Sequence, residues 1–236
     1  MYIYGKNVAR ERINSNEPIT KAYISKKFKD QDLINKLKSK KVKINFLDTI
    51  ILDQKVDGLH QGIILEVDDA KTISLEEFLT LIKNKSNPVV VMLDHLEDPH
   101  NFGAIIRTSE ALGIDGIIIP NDRSVGVNAT VVKTSAGAIN HMNIIRVPNL
   151  ANTIEKLKKH NFWIIGTDME GTNYTKLDYN CPICLVIGNE GHGMSKIIKD
   201  NCDFIATIPM TGKINSLNAS VSCGILLSHI VESRCL

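Results

Sequence analysis

Apolar and polar positions alternate in two different ways along the chain. From Val89 onward the apolar residues come in unbroken runs, such as Val89-Val-Val-Met-Leu93, Ile117-Ile-Ile119 and Cys184-Leu-Val-Ile187. Runs of this length predict strands buried on both faces of a sheet. We expect strands at 89–93, 116–119, 144–147, 162–166, 184–187 and 204–208. Between them, helical spacing predicts helices over 103–112, 129–139, 150–160 and 195–199, with a last helix at 219–232. Strand and helix in alternation predict an α/β domain with a parallel sheet covered on both faces. Before Val89 the elements are shorter and more polar. They comprise a helix at 7–13, a strand at 21–25, a helix at 31–40 with Leu33, Ile34 and Leu37 on one face, and strands at 42–47 and 62–67. Residues 68–88 are polar, hold one helix around 75–82 and end at Pro88. The pattern divides the chain into a small α/β domain (1–70), a linker (71–87) and a larger domain (88–236).

Composition narrows the class. The chain has 236 residues, long enough to bury a core, and its 43% hydrophobic and 23% charged content is ordinary for a globular protein. No apolar run approaches the ~18 residues of a membrane span. The N-terminus has no basic stretch leading into an apolar one, so no signal peptide is expected and the reading is cytoplasmic. Five cysteines, an odd number, do not suggest a disulfide framework. Cys181 and Cys184 have CxxC spacing but lack a second pair, so they read as reduced thiols at the start of a strand, with no metal expected.

The net charge of +2 does not advertise nucleic acid, but its distribution does more. Nine lysines fall between Lys21 and Lys43, against Asp30 and Asp32 alone. Such a cluster suits phosphate neutralisation or a solvated helix face, and composition leaves both open.

Three loops follow buried strands, where open α/β sheets bind ligands. In the first, from Leu93 to Arg107, Asn101 can donate and accept near a helix start, and Arg107 carries a guanidinium suited to phosphate oxygens. The second, Gly188-Asn-Glu-Gly-His-Gly193, has the glycine order G-x-x-G-x-G rather than the dinucleotide G-x-G-x-x-G. Its glycines allow close backbone approach, while Glu190 would repel a pyrophosphate and suits hydroxyl, amino or cationic groups. The third runs from Ile208 to Ser220 and crowds Ser216, Asn218 and Ser220 at the start of the last helix, more polar groups than one cap needs.

Taken in this order, the loops resemble the three motifs of the SpoU (TrmH-type) branch of the SPOUT methyltransferases: Asp98-Pro-His-Asn101-Phe-Gly-Ala-Ile-Ile-Arg107, Gly188-Asn-Glu190-Gly191-His-Gly193, and Ile208 through Ser216-Leu-Asn218-Ala-Ser220. The likeness covers the chain from about Val89 to the C-terminus. Tyr4-Gly5 with His60-Gln61-Gly62-Ile63 further resembles the bacterial 23S rRNA guanosine-2′-O-methyltransferase subgroup, whose front domain is a ribosomal-protein-like RNA binder. The resemblance implies a parallel-sheet SPOUT domain whose C-terminal segment forms a deep trefoil knot, a feature otherwise essentially absent from proteins. It implies a homodimer, S-adenosylmethionine as cofactor, and RNA as partner, as 23S rRNA or a large-subunit assembly intermediate. Carried over residue by residue, it implies a catalytic set of Asn101, Arg107, Glu190, Ser216 and Asn218. The implied cofactor set is Thr167, Gly188, Glu190, Gly191, Ile208, Met210 and Leu217. Asn189 and His192 fall at variable places between the glycines. Two neighbouring readings keep the enzyme and change the RNA: a tRNA guanosine-2′-O-methyltransferase, or a resistance methylase acting on an rRNA adenosine. A catalytically silent RNA-binding or ribosome-assembly protein predicts eroded motifs, whereas all five catalytic positions are present.

Overall fold

A computed structural model of the chain describes residues 1–15, 18–67, 72–213 and 216–234. The chain forms two compact units, Met1–Ala70 with Val127–Asn140, and Lys71–Gly126 with His141–Leu236. The start of the expected linker, at residue 71, lies outside the described residues.

In the first unit, β1 (Tyr2–Tyr4), β2 (Lys21–Ser25), β3 (Lys43–Leu47) and β4 (Ile63–Glu66) form a sheet in the order β1-β4-β2-β3. Its β2–β3 pair is parallel and the other two pairs are antiparallel. Helices α1 (Lys6–Asn14), α2 (Gln31–Ser39) and α3 (Thr49–Asp53) connect the strands. Helix α2 turns Leu33, Ile34 and Leu37 inward, and Asp30 caps it by accepting from the Leu33 amide. The sequence pattern misses β1 and α3 because three residues and one helical turn are too short to show a period. The resembling pair of motifs meets in this unit. The Gly5 amide donates to the Ile63 carbonyl (3.2 Å) and the Lys6 amide to Gln61 Oε1 (2.8 Å). Buried His60 accepts from the Gly62 amide at Nδ1 (2.9 Å), which leaves Nε2–H to donate to Asp53 (2.8 Å).

The helix expected over 129–139 is shorter. It ends as α6 (Ala129–Thr134), and the chain then reverses through Ala136 (φ 49°) and Gly137 (φ 92°) into a single 3₁₀ turn at Ala138–Asn140. Two successive left-handed residues cannot continue a right-handed helix.

The second unit holds a six-stranded parallel sheet of β5 (Val89–Leu93), β6 (Gly116–Pro120), β7 (Ile144–Val147), β8 (Trp163–Asn173), β9 (Ile183–Ile187) and β10 (Phe204–Thr207), in the order β10-β8-β9-β5-β6-β7. Its helices are α4 (Leu75–Leu81), α5 (Pro99–Ala111), α7 (Leu150–Lys159), α8 (Lys196–Asp200) and α9 (Ala219–Ser233). Strands β5, β6 and β9 are buried at every residue, as their unbroken apolar runs require. Helix α5 starts at Pro99 rather than at 103, because Asp98 accepts from the His100 amide and proline suits the first helical position. Strand β8 outruns its expected end at 166. Its ladder to β10 pairs Ile205 with Gly166 but Ala206 with Thr172, so residues 167–171 bulge out of the pairing.

Candidate active site

The parallel sheet brings the C-terminal ends of β8, β9 and β10 together, and the loops there enclose a cavity of about 390 Å³. The β8 bulge supplies Thr167, Asp168 and Met169. The loop after β9 supplies Gly188 to Gly193. The loop after β10 and the start of α9 add Ile208, Met210, Ser216 and Leu217. All seven residues expected to bind the cofactor therefore line one cavity. Its lining side chains include two carboxylates, Asp168 and Glu190, and no lysine or arginine among the described residues.

The glycine loop is closed by its own backbone. The Asn189 and Gly193 amides each donate to the other's carbonyl, at 3.0 and 2.9 Å. Gly193 adopts φ 67°, and a Cβ on Gly188 would overlap the backbone of Gly193 and Met194. Glycine at 188 is thus demanded by backbone touching backbone.

Three catalytic candidates join hands at the rim. Glu190 Oε1 accepts from Asn101 Nδ2 (3.1 Å) and from the Asp98 amide (3.3 Å) at the start of α5. Asn101 Oδ1 accepts from Asn218 Nδ2 (2.8 Å). Asn218 Oδ1 in turn caps α9, accepting from the Ser220 amide (2.9 Å), the Ser220 hydroxyl (2.6 Å) and the Val221 amide (3.3 Å). The chain Glu190–Asn101–Asn218 links all three sequence motifs. Asn101 is buried within the first turn of α5, and the capping residue of that helix is Asp98.

Ser216 lines the cavity and is exposed, while Ile214 and Asn215 of its loop lie outside the described residues. Arg107 stands apart. It is exposed, lines no part of the cavity, and its side chain bonds to no other described residue. Six residues separate it from Asn101, roughly 9 Å along α5 and about 120° around it.

Three side chains that the sequence reading passed over shape the site. Asn189, taken there as a variable position, folds the glycine loop: its Oδ1 accepts from the Gly191 (2.8 Å) and His192 (3.3 Å) amides. Asp94 is buried at the end of β5 and holds Ser195. Asp168 pairs with Lys199 at 2.7 Å. The lysine hydrogen bond, followed by the Glu170 amide, holds the Asp168 carboxyl below the usual carboxylate range despite partial burial. A carboxylate directly after an apolar run was the available signal for Asp94, and one two residues beyond the run's glycine for Asp168.

The thiols show no chemistry of this kind. Burial pushes Cys202 and Cys223 up to about 12, and Cys184 lies buried in β9. Among the described residues, no three His, Cys, Asp or Glu side chains cluster as metal ligands, and no helix is long and apolar enough to cross a membrane.

Comparison with known proteins matches two family descriptions to the chain. Residues 88–228 match the SpoU rRNA Methylase family, and residues 2–73 match RNA 2′-O ribose methyltransferase substrate binding. YacO of Bacillus subtilis strain 168, named for the TrmH family of tRNA/rRNA methyltransferases, is 39% identical over 99% of this chain and 96% of its own. A Staphylococcus aureus MSSA476 protein with the same family name is 40% identical over 98% of this chain and 96% of its own. Among solved structures, the SpoU methyltransferase AviRb from Streptomyces viridochromogenes, in complex with AdoMet, superimposes with a TM-score of 0.81 at 22% identity, covering 100% of this chain and 90% of its own. An AdoMet-bound rRNA methyltransferase from Sinorhizobium meliloti gives 0.79 at 22% identity, over 98% and 86%. At these identities the structures speak to the fold.

Proposed function

The chain belongs to the SpoU rRNA methylase family and is an RNA 2′-O-ribose methyltransferase, and from that premise we propose that it methylates a guanosine ribose in 23S rRNA with S-adenosylmethionine as donor. The observation that carries this reading is the Glu190–Asn101–Asn218 chain, which ties the three motif loops together at one cavity.

The cavity fits the cofactor by its chemistry. S-adenosylmethionine presents a cationic sulfonium, an amino group and ribose hydroxyls, and the lining offers Asp168, Glu190 and glycine-loop backbone with no cationic lysine or arginine among the described residues. Thr167, Gly188, Gly191, Ile208, Met210 and Leu217 would hold it together with Glu190. When bound, the cofactor supplies an electrophilic methyl group. The protein must then orient a ribose 2′-oxygen and stabilise the charge that develops on it. Arg107 suits that task. A guanidinium keeps its proton and forks onto an adjacent phosphate, so it serves as an electrostatic and positioning group rather than a conventional base. No described residue bonds its side chain, which leaves it available to RNA. Asn101 and Ser216 orient the ribose, Glu190 sets Asn101, and Asn218 holds the third loop against α5.

Guanosine of 23S rRNA, as naked RNA or in a large-subunit assembly intermediate, is favoured by the first unit. That unit carries the substrate-binding match together with the Gly5 and His60-Gln61-Gly62 contacts. Exposed Lys27, Lys29, Lys38, Lys41 and Lys43 lie in this unit with no carboxylate at ion-pair distance among the described residues, which suits an RNA backbone. We further propose that the segment from β9 through α9 is threaded as a trefoil knot and that the enzyme works as a homodimer. The interleaved strand order supports the first and the exposed apolar Val221 on α9 the second. Mapping 2′-O-methyl sites in rRNA and tRNA from cells lacking the protein tests the substrate. Loss of one 23S guanosine methylation is expected, and loss confined to a tRNA would transfer the assignment to tRNA.

A further inference from the structure

We propose that Asp94 and His95 are positioning residues that fix the shape of the glycine loop and thereby set cofactor affinity, an inference that rests on the cavity being the cofactor site. Both stand at the end of β5, where the Asp94 amide donates to the Ile187 carbonyl (2.8 Å) and extends the ladder between β5 and β9. The loop to be shaped begins just after that pairing.

Asp94 is buried, at 1% exposure, and its carboxylate is filled by three donors. Oδ2 accepts from the Ser195 amide (2.7 Å) and the Ser195 hydroxyl (2.9 Å), and Oδ1 lies 2.6 Å from His95 Nδ1. An ionised carboxylate only accepts, so Nδ1 carries the proton. His95 has φ 60°, a left-handed conformation that is uncommon for a side chain of this size. That turn folds the imidazole back onto Asp94 and aims the His95 carbonyl at the loop, where it accepts from Asn189 Nδ2 (2.8 Å). Asn189 then organises Gly191, His192 and Gly193 as described above. Two consecutive residues therefore grip the loop at both ends, Asn189 through a carbonyl and Ser195 through a carboxylate. Neither Asp94, His95 nor Ser195 lines the cavity, so they act through Asn189 and the glycines. A buried carboxylate is costly unless its donors are all present, so the grip is specific to this loop geometry.

The test uses the full-length protein with Asp94→Asn, His95→Gly, Ser195→Ala and Ser195→Thr. Glycine at 95 keeps the left-handed turn and removes the ring. Amide hydrogen exchange without cofactor should rise at Gly193 and Ser195 in Asp94→Asn by about tenfold or more, and calorimetry should give S-adenosylmethionine binding weaker by about tenfold. Turnover at saturating cofactor should stay within about threefold, giving a KM effect without a kcat effect. Ser195→Ala should fall between the wild type and Asp94→Asn, and Ser195→Thr, which keeps the hydroxyl, should restore affinity. Asp94→Asn or His95→Gly binding cofactor within twofold of wild type would overturn the proposal. So would a loosened loop without lost affinity. If Asp94→Asn fails to fold, His95→Gly and Ser195→Ala carry the same two readouts. Failure of the wild type itself to bind S-adenosylmethionine would overturn the cofactor reading instead.

Discussion

The two units use their polar groups in opposite ways. Around the cavity of the second unit a run of polar side chains is tied together: Glu190 by Asn101, Asn101 by Asn218, and Asn218 by the α9 amides. In the lysine-rich stretch of the first unit Lys26 and Lys36 face carboxylates, Asp48 and Asp32, in exposed pairs, while Lys27, Lys29, Lys38, Lys41 and Lys43 face none among the described residues. Interlocked groups hold one geometry at no cost of reorganisation when a reaction begins. Unpaired surface lysines hold no geometry but present charge to any phosphate backbone. The contrast separates a preorganised site, where single substitutions act steeply, from an electrostatic surface, where they act gradually. Arg107, whose side chain bonds to no described residue, stands apart from that interlocked run, and this makes it the sharpest test.

Arg107→Ala should lower methyl transfer by about 10³-fold or more, about 4 kcal/mol in the barrier, as removal of a charge-stabilising donor does. S-adenosylmethionine affinity should stay within about twofold, because Arg107 does not line the cavity. Single-turnover transfer and calorimetry on one preparation separate the two effects. Near-normal turnover would remove Arg107 from the reaction and place the chemistry on the interlocked groups alone.

Asn101→Ala should cost less in rate and more in fold. It leaves Glu190 Oε1 without its side-chain donor and frees the Asn218 amide, and because Glu190 and Asn218 are themselves exposed the loss should be about 1 kcal/mol in stability. Activity should fall by about 10²-fold through misplacement of the third loop. Urea unfolding together with steady-state kinetics checks both. If Asn101→Ala is as stable as the wild type, the network is not interlocked and the contrast between the units weakens.

What the chain discloses before folding follows the same division. The identities at the rim were legible because Asn101, then Gly188 and Glu190, then Ser216 and Asn218 follow strand ends in the order of the resembling family's motifs. Their pairings were not legible. Nothing in the spacing of Asn101 and Asn218 says that they share a hydrogen bond across 117 positions. The β8 bulge was hidden because Thr167 to Gly171 is polar and reads as the end of a strand, although pairing resumes at Thr172. The break after Thr134 was hidden because Ala136 is a good helix former that adopts a left-handed conformation only next to Gly137. In the first unit the lysine cluster was plain, but which lysines are paired depends on Asp48, distant in sequence and brought near by the parallel β2–β3 pair.

Replacing Lys27, Lys38 and Lys43 together with alanine should weaken RNA binding gradually. All three are exposed, so folding should be unaffected. If each neutralises a phosphate, the slope of log K against log salt should fall by about 2 units for the triple variant, at the single-stranded value of ~0.7 per contact. Filter binding across a salt series gives the slope. An unchanged slope would assign RNA affinity to another surface and leave these lysines as a solvated face.

The smallest effect belongs to the half-exposed pair at the cavity, which shows where interlocking stops mattering. Lys199 depresses the Asp168 carboxyl, so the folded state binds that proton less readily than the unfolded chain does. The contribution to stability is therefore present above the unfolded value of about 3.9 and is lost as pH falls through the lower folded value. With the lysine side chain 40% exposed, solvent screening limits the pair to under about 1 kcal/mol. Asp168→Asn should accordingly unfold at slightly lower urea than the wild type at pH 7, and the two should converge below about pH 3. A difference of several kcal/mol at pH 7 would mean that this pair, too, belongs to the interlocked set, and the boundary drawn between geometry and charge would have to move outward to include it.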